Sequence, residues 1–239
     1  MTLELLLYVV ITTHITTVLF SLYVHRSMAH RQFEFHPFMG SVIRFWLWLN
    51  DGSGVKEWVA IHHNHHKYSD REGDPHFLFV SGSLENRFKA IVAVAFKSIV
   101  LGYKNFATKK EIELYTGHVP GGWTEKYQRY GILLLLTFNI LVFGYWGILA
   151  WLIQISWVTI WLTVIVAIGA HHFGYHEKKT VDNSRNLWPL AILTAGEELH
   201  HNHHKNPTNP NYRKRWFEID LGWQYVKIFK FLGLIKINS

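Results

Sequence analysis

Residues 131–170 run for forty positions without one Lys, Arg, Asp, Glu or His. A helix needs about 20 apolar residues to cross a bilayer, so this stretch suffices for two. Gly144-Tyr145-Trp146-Gly147 reads as the tight turn between them. A soluble helical hairpin of this length would show a polar face, and none is present. Residues 3–24 form a third apolar run, carrying one carboxylate, Glu4, and one imidazole, His14. That run lacks the charged start and the small-residue cleavage site of a signal peptide. Two shorter apolar runs, 42–49 with Arg44 and 90–103 with Lys97, read as interfacial or buried amphipathic helices. The expected fold is all-α. One domain over 1–239 would have three spans, near 3–24, 131–148 and 150–170, with interfacial helices and a helical cap.

Charge then sets orientation. All 24 Lys and Arg lie in 25–130 and 171–239, which one two-span hairpin separates, so both segments fall on the same side. The positive-inside rule makes that side cytoplasmic and puts the N-terminus outside. A net charge of +7 suits anionic headgroups, acidic acyl carriers or an acidic electron donor. No nucleic-acid motif accompanies the charge, so nucleic acid is not an expected partner. The chain has no cysteine, which excludes disulfides, thiolate zinc sites, Cys-ligated iron–sulfur clusters and a Cys nucleophile.

Seventeen histidines are the compositional outlier. Taken singly, most histidines are core or surface residues, but HHNHHK occurs twice, at 62–67 and 200–205. On a helix, positions i, i+3 and i+4 share a face. His62, His65 and His66 have this spacing, as do His200, His203 and His204, and each unit could set three imidazoles around one point. The register i, i+1, i+4 would instead use His63 and His201, and spacing alone does not decide. His25 and His30 are five apart, about 140° on a regular helix, so they meet only if the helix ends or bends there. His171-His172 follows the last span. These pieces offer eight or nine imidazoles, where one zinc takes about four ligands, so two metals fit better than one. HEKKT at 176–180 is not H-E-x-x-H, and a zincin protease is unsupported.

HRSMAHR at 25–31, EWVAIHHNHHKYSD at 57–70 and GEELHHNHH at 196–204 resemble the three histidine boxes of integral-membrane fatty acid desaturases. The acyl-CoA desaturase-like branch, stearoyl-CoA desaturase included, is the most similar. DPH at 74–76 and RWFEIDLGW at 215–223 are similar to its bacterial members. The resemblance runs from about residue 15 to about 234. It implies nine metal ligands: His25, His30, His62, His65, His66, His171, His200, His203 and His204, which favours His65 and His203 in the register question. It implies two iron ions that use O2 to remove two hydrogens from a fatty acyl chain carried by CoA, acyl carrier protein or lipid, in the bacterial inner membrane. His14, His36, His63, His76, His118, His172, His176 and His201 match no ligand. Animal members carry, four residues before the His171 equivalent, an Asn that holds a metal-bound water. Here that position is Ala167, which implies a more open site at one iron. Family members usually have four spans, and the one preceding the first box-bearing helix has no counterpart in this sequence.

Glu57, Asp74 and Glu197 lie beside the boxes and are candidates to orient ligand imidazoles. Phe45, Trp46, Trp48 and Trp58 are candidates for the wall of an acyl tunnel; ordinary core or interfacial packing is the competing reading for each. His118-Val-Pro-Gly-Gly departs from the haem-binding H-P-G-G, so electrons are expected from a separate ferredoxin, rubredoxin or cytochrome. Competing functions are a membrane di-iron hydroxylase or another lipid oxidation such as decarboxylation. Further away stand a bis-His haem protein and a non-catalytic metal-binding or metal-transport protein. Transport would call for polar residues within the spans, and the hairpin has no charged ones.

Overall fold

The structure is a computed structural model that describes residues 2–52, 54–76, 106–177 and 180–238, together with Lys89 and Val92. Helix α1 is Leu3–Ala29, 27 residues long. It starts on Thr2, whose side chain accepts from Leu5 N–H, with Glu4 in the first turn to complement the helix dipole. Thr12, Thr13, Thr16 and Thr17 bond back to carbonyls four residues earlier, which makes hydroxyls tolerable in an apolar helix. Its last ten residues, Phe20–Ala29, widen into π-helix.

Helix α2, Pro37–Asn50, buries Gly40, Ile43, Leu47 and Asn50 at helical spacing and exposes Phe38, Val42 and Phe45. This is the amphipathic helix expected around 42–49, extended at its start by Pro37. Helix α3 is Val55–Tyr68 and α4 is Lys109–Tyr115, the latter begun by a Thr108/Glu111 capping box. The amphipathic helix expected at 90–103 lies outside the described residues.

The uncharged stretch folds as a helical hairpin, α5 (Gln128–Phe143) and α6 (Trp146–His172). Gly144 ends α5 at φ +60°, a conformation that favours glycine. At Gly147 a Cβ would stand 2.1 Å from Asn139 O, so only glycine lets the arms close this tightly. Because the turn falls at Gly144, the arms are unequal. The helices long and apolar enough to cross a membrane are α1 and α6, at 27 residues each, while α5 has 16. A buried chain of hydrogen bonds ties the three together: Tyr8 to Asn139, Asn139 to Gln154 and Gln154 to Thr12, each 2.8 Å. Polar side chains at apolar helix contacts fix their register in this way.

The remaining elements cover one end of this bundle. Helix α7 is His200–Lys205 and α8 is Leu221–Phe231. A short antiparallel ribbon pairs β1 (Phe33–Phe35) with β2 (Ile235–Ile237), an exception to the all-α expectation that ties the C-terminus to the segment after His30. The main core gathers Phe20, Val24, Ile43, Leu47, Trp58 and the fully buried Trp161. It lies where α1, α2, α3 and α6 meet, directly above the histidines.

Candidate metal centre

Four elements deliver the imidazoles. The π-segment of α1 carries His25, and His30 N–H donates to His25 O at 3.1 Å, a bond from i+5 to i. In a π-helix residues five apart come one turn apart, so the bend required between the two is built into the helix, and their rings sit 4.9 Å apart. Helix α3 carries His62, His65 and His66, α7 carries His200, His203 and His204, and His171 stands at the end of α6.

The nine form two groups, within each of which one nitrogen per ring lies within 4.8 Å of the others. The first is His25, His30, His62, His66 and His203; the second is His65, His171, His200 and His204. This corrects the expectation that each H-x-x-H-H unit gathers around one point. Positions i and i+4 of a unit go to one group and i+3 to the other, because adjacent residues on a helix diverge by about 100°. Within the first group, Nε2 atoms approach at 3.1 Å (His25–His203), 2.7 Å (His30–His62) and 3.0 Å (His66–His203). In the second, His171 and His200 meet at 3.0 Å, while the buried Nε2 atoms of His65 and His204 have no hydrogen-bond partner. His63 and His201 belong to neither group. His63 stacks on Tyr115, and His201 Nδ1 is 3.1 Å from Ser184 O.

Carboxylates grip four of the rings at the opposite nitrogen. Nδ1 of His25 is 2.6 Å from Glu197, of His65 3.0 Å from Asp74, of His171 3.0 Å from Asp70 and of His204 2.8 Å from Asp182. Such contacts fix the tautomer and aim Nε2 inward. Asp74 and Glu197 stand where the sequence reasoning placed them. Glu57 does not: it lies half-buried on the first turn of α3, and among the described residues no hydrogen bond joins it to a histidine. Asp70 and Asp182 were missed. Asp70 ends the KYSD of the second box, a signal that was available, and takes a left-handed conformation (φ +60°) that reaches His171. Asp182 sits in a loop and is oriented by Thr180 and Ser184; no sequence signal marks it.

The electrostatics suit neutral imidazole ligands and ionised anchors. Burial, reinforced by repulsion from neighbouring imidazoles, holds His30, His62, His66, His200, His203 and His204 well below the usual histidine range. Burial alone would raise Asp74, but its bonds with His65 and the His76 N–H hold it below the usual carboxylate range. Glu197 behaves likewise, with His25 and then Arg26 outweighing its burial. Converging nitrogens, two of them orphaned, with carboxylates behind, fit a pair of divalent ions.

An apolar gap adjoins the histidines. Trp58, Leu162, Val166 and Ala167 line it together with His25, His62, His65, His76, Glu197 and His200. Trp58 stacks on His62 at 4.7 Å and 11°, and it also lines a second slot with Phe20, Val24, Leu47, Trp48 and Val55. Of the aromatic candidates, Trp58 therefore touches the site and Trp48 borders the adjoining slot. Trp46 is instead tied to Thr16 of α1, and Phe45 faces outward at 46% exposure.

Comparison with known proteins matches residues 3–225 to the family model described as fatty acid desaturase. The chain belongs to the fatty acid desaturase family. The sn-1 stearoyl-lipid 9-desaturase of Synechocystis sp. is 31% identical over 218 residues, covering 89% of this chain. The Delta-9 desaturase-like 5 protein of Arabidopsis thaliana is 28% identical over 232 residues, 90% of this chain. The sn-1 stearoyl-lipid 9-desaturase of Anabaena variabilis is 27% identical over 215 residues, 88% of this chain. This desaturase-family chain spans 64%, 71% and 74% of the lengths of those three relatives.

Proposed function

We propose that the chain is a membrane-embedded fatty acyl desaturase that introduces a double bond into a saturated chain. Two irons would be held, one by His25, His30, His62, His66 and His203, the other by His65, His171, His200 and His204. When bound, they would supply the oxidising chemistry with O2 and two electrons that an unactivated C–H bond requires. The observation that carries this reading is the placement of two imidazole groups beside an apolar gap, at the end of long apolar helices.

The chain's own residues do the positioning. Neutral imidazoles are ready to ligate without first losing protons, and the carboxylates of Asp70, Asp74, Asp182 and Glu197 hold four rings in one orientation. Trp58 forms the wall shared by slot and gap, so an acyl chain lying along Phe20, Val24 and Leu47 would pass its ring on the way to the histidines. Displacement of the chain by about 1 Å there would cost on the order of a hundredfold in rate.

The relatives' names favour carbon nine of a lipid-linked stearoyl chain. Three spans, with α5 as the short one, would put the N-terminus outside and the histidines in the cytoplasm, where a separate ferredoxin, rubredoxin or cytochrome would deliver electrons. Expression in a bacterium rich in saturated lipid, with His65→Ala as control, tests the reading. A new monoene absent from the control supports it. A hydroxylated or shortened acyl product would replace desaturation with another oxidation.

A further inference from the structure

The segment 171–239, expected to lie wholly in the cytoplasm, reaches back along α1. Nδ1 of His14 is 3.2 Å from Ile192 O, and its Nε2 is 3.1 Å from Tyr225 OH. His14 precedes His25 by eleven residues, roughly 16 Å at 1.5 Å per residue. It sits among residues 5–24, which carry no formal charge. Ile192 and Tyr225 therefore lie beside the apolar part of the helix, away from its histidine-bearing end.

We propose that the turn around Ala191–Thr194 and the outer face of α8 form a wedge inserted into the acyl region of the adjacent lipid leaflet. This rests on the reading that α1 spans a membrane. Three observations carry it. Leu7, Val10 and Ile11 are 49%, 53% and 53% exposed, and with His14 they make one stripe of α1 at i, i+3, i+4 and i+7. Ile192 is bonded at the end of that stripe, so the helix face open to lipid continues onto the turn. The turn and α8 also expose large apolar side chains: Ile192 (73%), Leu193 (45%), Ile228 (51%) and Phe231 (89%). A contiguous patch of this kind marks an interaction surface. Finally, the polar groups of the turn are satisfied internally, as hydrocarbon requires. Leu193 and Thr194 N–H donate to Leu190 O, Ala195 N–H to Ala191 O, and Ile192 O is taken by His14. Lys227 and Lys230 stand exposed at the rim, where long cationic side chains reach headgroups.

The wedge runs through Ala195 and Gly196 directly into Glu197, which holds His25, and then into α7. Lipid contact and the third histidine box are thus parts of one short segment.

The chain has no cysteine, so single replacements give unique labels. Ile192→Cys and Phe231→Cys would each carry a fluorophore in the purified full-length protein, reconstituted into vesicles containing lipid spin-labelled on its acyl chain. Leu134→Cys on α5 and Thr208→Cys on the exposed loop after α7 are the references. The expected result is quenching at Ile192 and Phe231 equal to that at Leu134, with Thr208 unquenched. Reaction with a water-soluble maleimide should be at least about tenfold slower at both sites than at Thr208, because the patch is out of water. Quenching at Leu134 alone, with fast maleimide reaction at Ile192 and Phe231, would overturn the wedge and leave the spans intact. Slow reaction without quenching would mean that protein, a second copy included, covers the patch, and would also overturn it. No quenching at Leu134 would instead remove the spanning reading beneath it.

Discussion

The two copies of HHNHHK are identical for six residues, and the fold uses them as opposites. In α3 the i, i+4 pair, His62 and His66, joins the first group and His65 crosses to the second. In α7 the i, i+4 pair, His200 and His204, joins the second and His203 crosses to the first. Each helix thus binds both groups together. The non-ligating positions diverge further. His63 is half-buried against Tyr115, whereas His201 is fully buried beside Ser184. Asn64 leaves its Oδ1 without a partner, while Asn202 donates to Tyr212 O and Glu218. One local sequence supplies the same helical register twice, and the surroundings decide the rest.

The comparison is most easily broken at the crossing residues. His65→Ala and His203→Ala should each reduce desaturation to background, but they should empty different groups. Metal analysis should show the loss in each, and a spectroscopic probe of the metals should show the residual site to differ between the two. Identical residual sites would falsify the crossed assignment. The anchoring carboxylates come next. Asp182→Asn and Asp70→Asn act on the second group and Glu197→Gln on the first, and each should weaken metal affinity by about 10- to 100-fold, measured by competition with a chelator. If Asp182→Asn retains full affinity, its bond to His204 is incidental.

Acid should act on both groups alike. Six histidines have folded-state pKa values held below the usual value of about 6.5. Below that pH the unfolded chain takes up protons that the folded one refuses. Stability of the metal-free protein is therefore fully present above about 6.5 and falls as pH drops toward the depressed values. Denaturation midpoints between pH 8 and 5 would show this; a flat profile would mean these rings charge freely in the fold. The smallest effects belong to the non-ligating pair. His201→Ala should cost about 1–3 kcal/mol of stability through lost burial and hydrogen bonding. His63→Ala should cost less than about 1 kcal/mol, with metal content unchanged in both.

Much of this arrangement is legible in the chain before any coordinates. The forty uncharged residues require apolar helices, and the nine histidines singled out by the boxes are the nine that converge. The division of each unit between two centres was not read, because helical spacing gives the angle between side chains but not the position of what they face. Asp74 and Glu197 could be guessed from adjacency in sequence, and the same rule misplaced Glu57. Asp182 reaches His204 across 22 residues of chain through a loop whose path no periodicity encodes. The short arm of the hairpin was overestimated for a simpler reason: hydropathy does not change where Gly144 ends the helix.

The widened end of α1 has a consequence for how this protein can tolerate change in length. A π-segment is equivalent to an α-helix that has absorbed an extra residue and kept it. Deleting one residue between Phe20 and Ala29 would let the segment relax to the commoner winding, so the helix itself would lose nothing. His25 would nevertheless swing by about 100° relative to the face it now shares with His30. A change that makes the local backbone more regular would therefore dismantle the metal site, and the irregularity is the part of the helix least open to editing.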